Sequence, residues 1–233
     1  MSNVLFRTPF YKGIIINTTK IKSKNEADGE IELSCGASIQ PIIREYAYLD
    51  LGGMEGLYGI PGTVGGMLRQ NAGAFGYEIS DCFVSARCFS KDTLSVDTYD
   101  KNGMRFSYRD SILADNSLVL LSARFRLRPK MKKDILDEIA RYSKKRRDTQ
   151  PIGKPSLGSV FKRVGDVSAA FYIDNAGLKG LTFGGAMVSE KHAGFIVNIG
   201  GATSYDYLKL IEIIKSKVLM TFGIDLEEEI QII

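Results

Sequence analysis

The chain has 233 residues, 44% of them apolar and 25% charged, with a formal net charge of +4. That length can bury one large or two modest cores, and the composition is ordinary for a globular protein rather than a disordered or fibrous one. No apolar run reaches the ~18 residues of a membrane-spanning helix, so membrane insertion is not expected. No charged leader with a long apolar stretch opens the chain, and Cys35, Cys82 and Cys88 lack C-x-x-C spacing, which points to reduced thiols in a cytoplasmic protein.

Taken in order, Lys12 to Asn17 reads as a buried strand and Glu30 to Cys35 as an alternating one, with Lys22 to Gly29 a polar turn between them. Ile39 to Tyr46 suits a short helix, Pro41 being tolerated in its first turn. Phe83 to Phe89, Leu94 to Tyr99 and Leu118 to Leu127 are strand candidates. In the last of these, Ala123, Phe125 and Leu127 alternate with Arg124, Arg126 and Arg128. Pro129 marks the expected domain boundary, giving domains of 1–129 and 130–233.

Beyond it, Met131, Ile135, Leu136, Ile139 and Tyr142 recur at helical spacing and carry the chain to Arg147 and Gln150. Val167 to Asn175 reads as a helix stopped at Gly177. Phe195 to Asn198 is a short strand. Ser204 caps a helix from Tyr205 to Phe222 that ends at Gly223, and Leu226 to Ile233 forms a last strand. Strands with short helices, then a mixed unit, make an α+β protein in two parts. The basic run Arg141 to Arg147 is a charged helix face, and no nucleic-acid signature accompanies it.

Two stretches stand out for bare backbone: Gly59-Ile60-Pro61-Gly62-Thr63-Val64-Gly65-Gly66 and Asn71-Ala72-Gly73-Ala74-Phe75-Gly76. Glycine lets main chain approach a ligand closely, and successive N–H groups can form a nest for anionic oxygens. By composition the same residues serve equally as tight turns. There is no Walker loop and no G-x-G-x-x-G, so the two common nucleotide fingerprints are missing. The wording of these stretches resembles the UDP-N-acetylenolpyruvoylglucosamine reductase family, flavoenzymes of peptidoglycan synthesis. That resemblance implies an FAD-binding domain of the vanillyl-alcohol-oxidase type, followed by a smaller α+β substrate domain. It assigns Gly59, Pro61, Gly62, Thr63, Val64, Gly65, Gly66, Asn71 and Gly73 to FAD.

Three further segments extend the likeness. Tyr108-Arg109-Asp110-Ser111 matches the family's Tyr-Arg-x-Ser. Gln150-Pro151 through Pro155-Ser156-Leu157-Gly158-Ser159-Val160-Phe161-Lys162 is similar to its Gln-Pro…Pro-Ser-Ala-Gly-Ser-x-Phe-Lys, with Leu157 for the usual alanine. Leu226-Glu227-Glu228-Glu229-Ile230 resembles its Leu-Glu-x-Glu-Val ending. The resemblance implies catalytic roles for Arg109, Ser159 and Glu229, and substrate contacts from Tyr108, Arg147, Gln150 and Lys162. No metal is implied.

In that chemistry NADPH reduces the flavin and hydride passes to the enolpyruvyl group of a UDP-sugar. Arg109, a planar permanent cation, and Glu229 stabilise the enolate, while Ser159 protonates the adjacent carbon. Taken by itself, Ser156 would be as good a donor as Ser159. Strand alternation puts Glu227 and Glu229 on one face without choosing between them. Glu229 is expected to be partly buried. Ala176 to Gly180 and Val188 to Asn198 complete the match, and His192, the only histidine, is expected to be structural.

The arginine-to-serine spacing corresponds to the compact variety, and a monomer is expected. The family begins with a further subdomain ending in Gly-Gly-Gly-Ser-Asn-x-Leu. Met1-Ser2-Asn3-Val4-Leu5 resembles its tail, with Met1 at a glycine position and Ser2 and Asn3 toward FAD. The expectation is a chain without that subdomain, holding FAD weakly, its alternative being an inactive remnant. A flavin oxidase of another substrate is the third reading.

Overall fold

The computed structural model describes residues 2–8 and 10–233. Met1, assigned above to a glycine position, lies outside the described residues. The chain divides into two compact units: Ile15–Lys145, and the described part of Met1–Ile14 with Arg146–Ile233. Pro129, the boundary expected from sequence, falls inside the first of these units.

The unit Ile15–Lys145 is built on a five-stranded antiparallel sheet, in the order Lys24–Ala27, Glu30–Ser34, Leu118–Arg126, Phe83–Ser90, Val96–Asp100. Ile31, Leu33, Ala123 and Phe125 point from it into a core shared with Ile39 and Ile43 of the helix Ile39–Ala47 and Met67 and Leu68 of Val64–Arg69. The opposite face is polar. Glu30 lies directly across from Arg126, which donates to it at 3.1 Å, and Glu32 lies across from Arg124 at 3.5 Å. The alternation along Leu118–Arg126 breaks once, where Ser122 and Ala123 are both buried. Arg87 opposes Ser122 but Cys88 opposes Leu120, so Leu121 is the extra residue of a β-bulge. Ile135 and Ile139 of the helix Lys132–Thr149 close the same core.

The second unit has a four-stranded antiparallel sheet, ordered Ser156–Ser159, Phe195–Asn198, Ala186–Val188, Thr182–Phe183. The helix Ser204–Phe222 buries Tyr207, Leu210, Ile211, Ile214 and Val218, at the three- and four-residue spacing of one apolar stripe, in a core with Ile173, Val188 and Ile196. Gly223 ends it at φ +69°, its N–H donating to the Leu219 carbonyl at 2.8 Å. Val4–Leu5 pairs in parallel with Gln231–Ile232 within this unit.

Four local expectations are corrected. Lys12 to Asn17 is not a strand: no ladder forms there among the described residues, and Ile14 and Ile16 are 90% and 82% exposed. An apolar, β-branched run makes a strand only when a neighbour offers a hydrogen-bonding edge. Lys22 to Gly29 is more than a turn, because Lys24–Ala27 pairs with Glu30–Ser34 as an exposed polar edge strand. The cap of the last helix is Thr203 rather than Ser204. Its hydroxyl accepts from Asp206 N–H at 3.1 Å while Asp206 accepts from Thr203 N–H at 3.0 Å, a reciprocal capping box. Leu226 to Ile233 shrinks to the strand Gln231–Ile232 and a bridge between Phe161 and Glu228.

Candidate active site

The loop Gly59–Gly66 uses its glycines for different purposes. Gly59 (φ +83°) and Gly62 (φ +138°) occupy conformations that L side chains avoid. Gly65 is bare for packing, since a Cβ there would sit 3.2 Å from the Cys35 carbonyl. The expected row of N–H groups is largely spent inside the fold. Gly59 donates to Gln40 Oε1 (2.7 Å), Ile60 to Leu57 (3.1 Å), Val64 to Ala37 (2.9 Å), Gly65 to Cys35 (2.8 Å) and Gly66 to Thr63 Oγ1 (3.4 Å). Among the described residues, Gly62 and Thr63 are the loop positions whose N–H groups have no acceptor within the protein. Two donors are therefore left open in the loop, one of them at Gly62.

Behind this loop the helix Val64–Arg69 leads to Asn71, which is 1% exposed and left-handed at φ +40°. Its Nδ2 donates to Glu78 Oε2 at 2.6 Å and to the Ser107 carbonyl at 3.1 Å, and its Oδ1 accepts from Ser80 N–H at 3.3 Å. Gly73 and Ala74 pair with Glu78 and Tyr77 in a hairpin tipped by Phe75 (φ +60°) and Gly76 (φ +85°). A side chain at Gly73 would collide with the Tyr77 carbonyl. Phe75 stacks on Tyr142 with ring centroids 6.4 Å apart, and Lys145 Nζ lies 4.4 Å from its ring.

Arg109 belongs to the same cluster. It sits at the tip of a turn closed by Ser107 and Asp110, with φ +56°, a strained value for a long side chain. Its Nη2 donates to the Gly73 carbonyl at 2.8 Å, Nη1 lies 3.7 Å from Glu78 Oε1, and the guanidinium is 5.0 Å from the half-buried Tyr108 ring. Ser111 Oγ ties the turn to the preceding helix through the Arg69 carbonyl at 3.0 Å. The glycine loop, the Asn71 hairpin and the Tyr108–Ser111 turn thus form one bonded group, although 36 residues separate Gly73 from Arg109.

In the other unit, the strand Ser156–Ser159 is bulged: Ser156 opposes Val197 and Ser159 opposes Phe195, with Gly158 between at φ +82°. Ser159 Oγ is half-buried and donates to the Phe161 carbonyl at 3.4 Å. The chain then runs beside Glu227 to Glu229. Glu229 N–H donates to the Val160 carbonyl at 2.7 Å, and Lys162 N–H to the Glu227 carbonyl at 2.9 Å. Ser159 and Glu229, 70 positions apart, are brought to adjoining segments by a single antiparallel bridge.

The three consecutive glutamates separate sharply. Glu227 pairs with Lys162 Nζ at 2.6 Å, Glu228 with Lys215 Nζ at 3.1 Å, and Glu229 is half-buried, as expected of it. The face-sharing of Glu227 and Glu229 does not apply, because this segment is not a continuous strand. Asn3 braces the arrangement: its Nδ2 donates to the Glu229 carbonyl at 3.3 Å and its carbonyl accepts from Gln231 N–H at 2.9 Å. Ser2 is half-buried in the same unit.

Arg147 is exposed in the last turn of its helix, with its carbonyl accepting from Lys191 Nζ. Gln150 is half-buried and donates its N–H to the Arg146 carbonyl at 2.8 Å. His192 accepts from Gly194 N–H through Nδ1 at 3.1 Å and packs edge-on to Phe195, and burial holds its pKa below the ordinary value, so it serves its own turn.

A sequence profile described as an FAD binding domain matches residues 1–98, and one described as the C-terminal domain of UDP-N-acetylenolpyruvoylglucosamine reductase matches residues 150–233. The reductase of Caldicellulosiruptor bescii is 45% identical over the full chain, which covers 74% of it, and that of Streptococcus suis is 41% identical, with 76% covered. The chain belongs to the UDP-N-acetylenolpyruvoylglucosamine reductase family. The crystal structure of the Thermus caldophilus reductase aligns with 86% of the chain and 71% of its own, at 33% identity and a TM-score of 0.77. The α+β reading in two parts holds, and FAD is the cofactor its first profile names.

Glu78 and Gln40 escaped the sequence reading. Nothing in their spacing marks them; only the folded positions of Asn71, Arg109 and Gly59 give them partners. No helix among the described residues is long and apolar enough to cross a membrane.

Proposed function

We propose that the chain reduces the enolpyruvyl group of UDP-N-acetylglucosamine enolpyruvate to give UDP-N-acetylmuramate, with NADPH as reductant, as a cytoplasmic monomer in peptidoglycan synthesis. FAD supplies the hydride when bound. The loop fits such a group: the exposed Gly62 and the half-buried Thr63 offer two N–H donors, suited to a phosphate oxygen. Gly59, Pro61, Gly62, Thr63, Val64, Gly65, Gly66, Asn71 and Gly73 would hold it, and the family resemblance adds Ser2 and Asn3.

Arg109 binds the substrate carboxylate, where charge builds as the neighbouring carbon is reduced. Tyr108, Arg147, Gln150 and Lys162 bind the rest of the substrate, Lys162 exchanging Glu227 for a phosphate oxygen. Ser159 delivers the proton to the carbanionic carbon. A serine is a weak acid in water but adequate for a strongly basic carbon held in line and away from solvent. Glu229 shares the polarisation of the carboxylate with Arg109.

The observation that carries this reading is the antiparallel bridge that sets the Ser159 segment against Glu229, with Val160 accepting from the Glu229 N–H at 2.7 Å. The test is Ser159→Ala. Product formation should stop while NADPH oxidation by the flavin continues, read by absorbance at the nicotinamide and flavin bands. Loss of both together, or of neither, refutes Ser159 as the donor.

A further inference from the structure

We propose that Glu78 is a positioning residue for Arg109, holding the guanidinium ready for the substrate carboxylate; this rests on the role given to Arg109 above. Arg109 stands at a turn tip in a left-handed conformation, where its backbone alone cannot aim so long a side chain. Two groups help to aim it, the Gly73 carbonyl, which accepts from Nη2 at 2.8 Å, and the Glu78 carboxylate, whose Oε1 forms an ion pair with Nη1 at 3.7 Å. Gly73 and Glu78 are directly opposed residues of one hairpin, so a single residue pair presents both the carbonyl and the carboxylate to one guanidinium.

Glu78 is itself fixed. Its other oxygen accepts from the buried Asn71 side chain at 2.6 Å, its carboxylate accepts from Asp81 N–H, and Asp81 returns a bond to Glu78 N–H at 2.8 Å. Asn71 reaches the Ser107 carbonyl at 3.1 Å, at the base of the turn that carries Arg109. The closed circuit Arg109–Glu78–Asn71–Ser107 therefore locks head and root of the arginine together. Arg109 keeps 17% of its side chain exposed and Glu78 35%, so solvent screens the pair only in part.

A preorganised cation stabilises developing charge without reorganising at the moment of reaction, whereas a mobile one loses that advantage. Glu78→Gln keeps the shape and can still accept from Asn71, but has no charge to hold Arg109. It should lower kcat about tenfold, the scale of one partly buried ion pair. KM for the enolpyruvyl substrate should not rise, because removing an anion beside the substrate carboxylate does not oppose binding. A merely structural role would instead lower the melting temperature or flavin content.

A readout independent of turnover is the rotation of the Arg109 guanidinium about Nε–Cζ, followed by NMR on the chain with labelled arginine. In Glu78→Gln it should speed up several-fold. Glu78→Asp keeps the charge at shorter reach and should fall between the two in both measurements; it serves if Glu78→Gln does not fold. Either variant matching the wild type in kcat and rotation, or a rise in KM with kcat unchanged, overturns the proposal. Arg109→Ala is run alongside. If it turns over normally, the role of Arg109 itself falls; if it is impaired while the Glu78 variants are normal, only the positioning role falls.

Discussion

Under the roles proposed above, the two units would carry their share of the chemistry in different materials. In Ile15–Lys145 the proposed cofactor surface is mostly backbone, with the Arg109 side chain beside it: Gly62 with its open N–H, Asn71, Phe75 and Gly76 all left-handed, and a carbonyl that holds Arg109. In the other unit it is side chain: Ser159 on a bulged strand, Lys162 against Glu227, and Glu229 on the neighbouring segment. A cofactor's phosphates need bare donors and little else, whereas proton delivery needs a particular hydroxyl at a particular place. Strain follows the same division, since three of the left-handed non-glycine residues lie at Asn71, Phe75 and Arg109.

Five substitutions sharpen or break that contrast. The largest effect on turnover is expected at the side-chain surface: Glu229→Gln should reduce steady-state product formation by roughly two to three orders of magnitude, the scale of one lost electrostatic stabiliser. A loss below tenfold would remove Glu229 from the chemistry. At the backbone surface, Asn71→Ala should destabilise the chain by about 1–3 kcal/mol, because it removes the bonds that a buried side chain makes to Glu78, Ser107 and the buried Ser80 N–H, and a thermal melt reads it. Unchanged melting would show that the hairpin is held by something else.

Away from both surfaces, Thr203→Ala should cost about 1 kcal/mol by uncapping the helix Ser204–Phe222, measured by urea unfolding. The same box sets a pH dependence. Backbone N–H groups of Thr203 and Gly185 hold Asp206 below its ordinary value of 3.8. Its folded pKa is thus lower than its unfolded one, so its stabilisation is complete above about pH 4 and is lost as pH falls through the folded value. Asp206→Asn should flatten stability across that acid range; an unchanged acid limb contradicts the box. The smallest effect belongs to Lys162→Ala. Its ion pair with the exposed Glu227 is worth at most ~1 kcal/mol to folding, so a clear stability loss would mean that Lys162 serves the fold rather than the substrate.

Much of this was legible along the chain. The alternation of Ala123, Phe125 and Leu127, the helical stripe through Ile135 and Ile139, and the stop at Gly223 all appear where their periodicity and capping chemistry put them. Those signals are local: a few neighbouring residues decide them. Lys12 to Asn17 shows the limit, because its β-branched run has every intrinsic preference for a strand and no partner edge. The nest in Gly59–Gly66 shows it again, since composition suggested a full row of donors and the fold consumes five of them.

The sequence by itself determined the family, the α+β character and the residue types available for catalysis, because motif wording and periodicity are properties of the chain. Only the tertiary structure decided which partner each of three adjacent glutamates meets, which glycines remain open, and that a carboxylate at Glu78 faces Arg109. Those outcomes depend on contacts between residues tens of positions apart, and no local preference encodes which distant carbonyl a given N–H will meet.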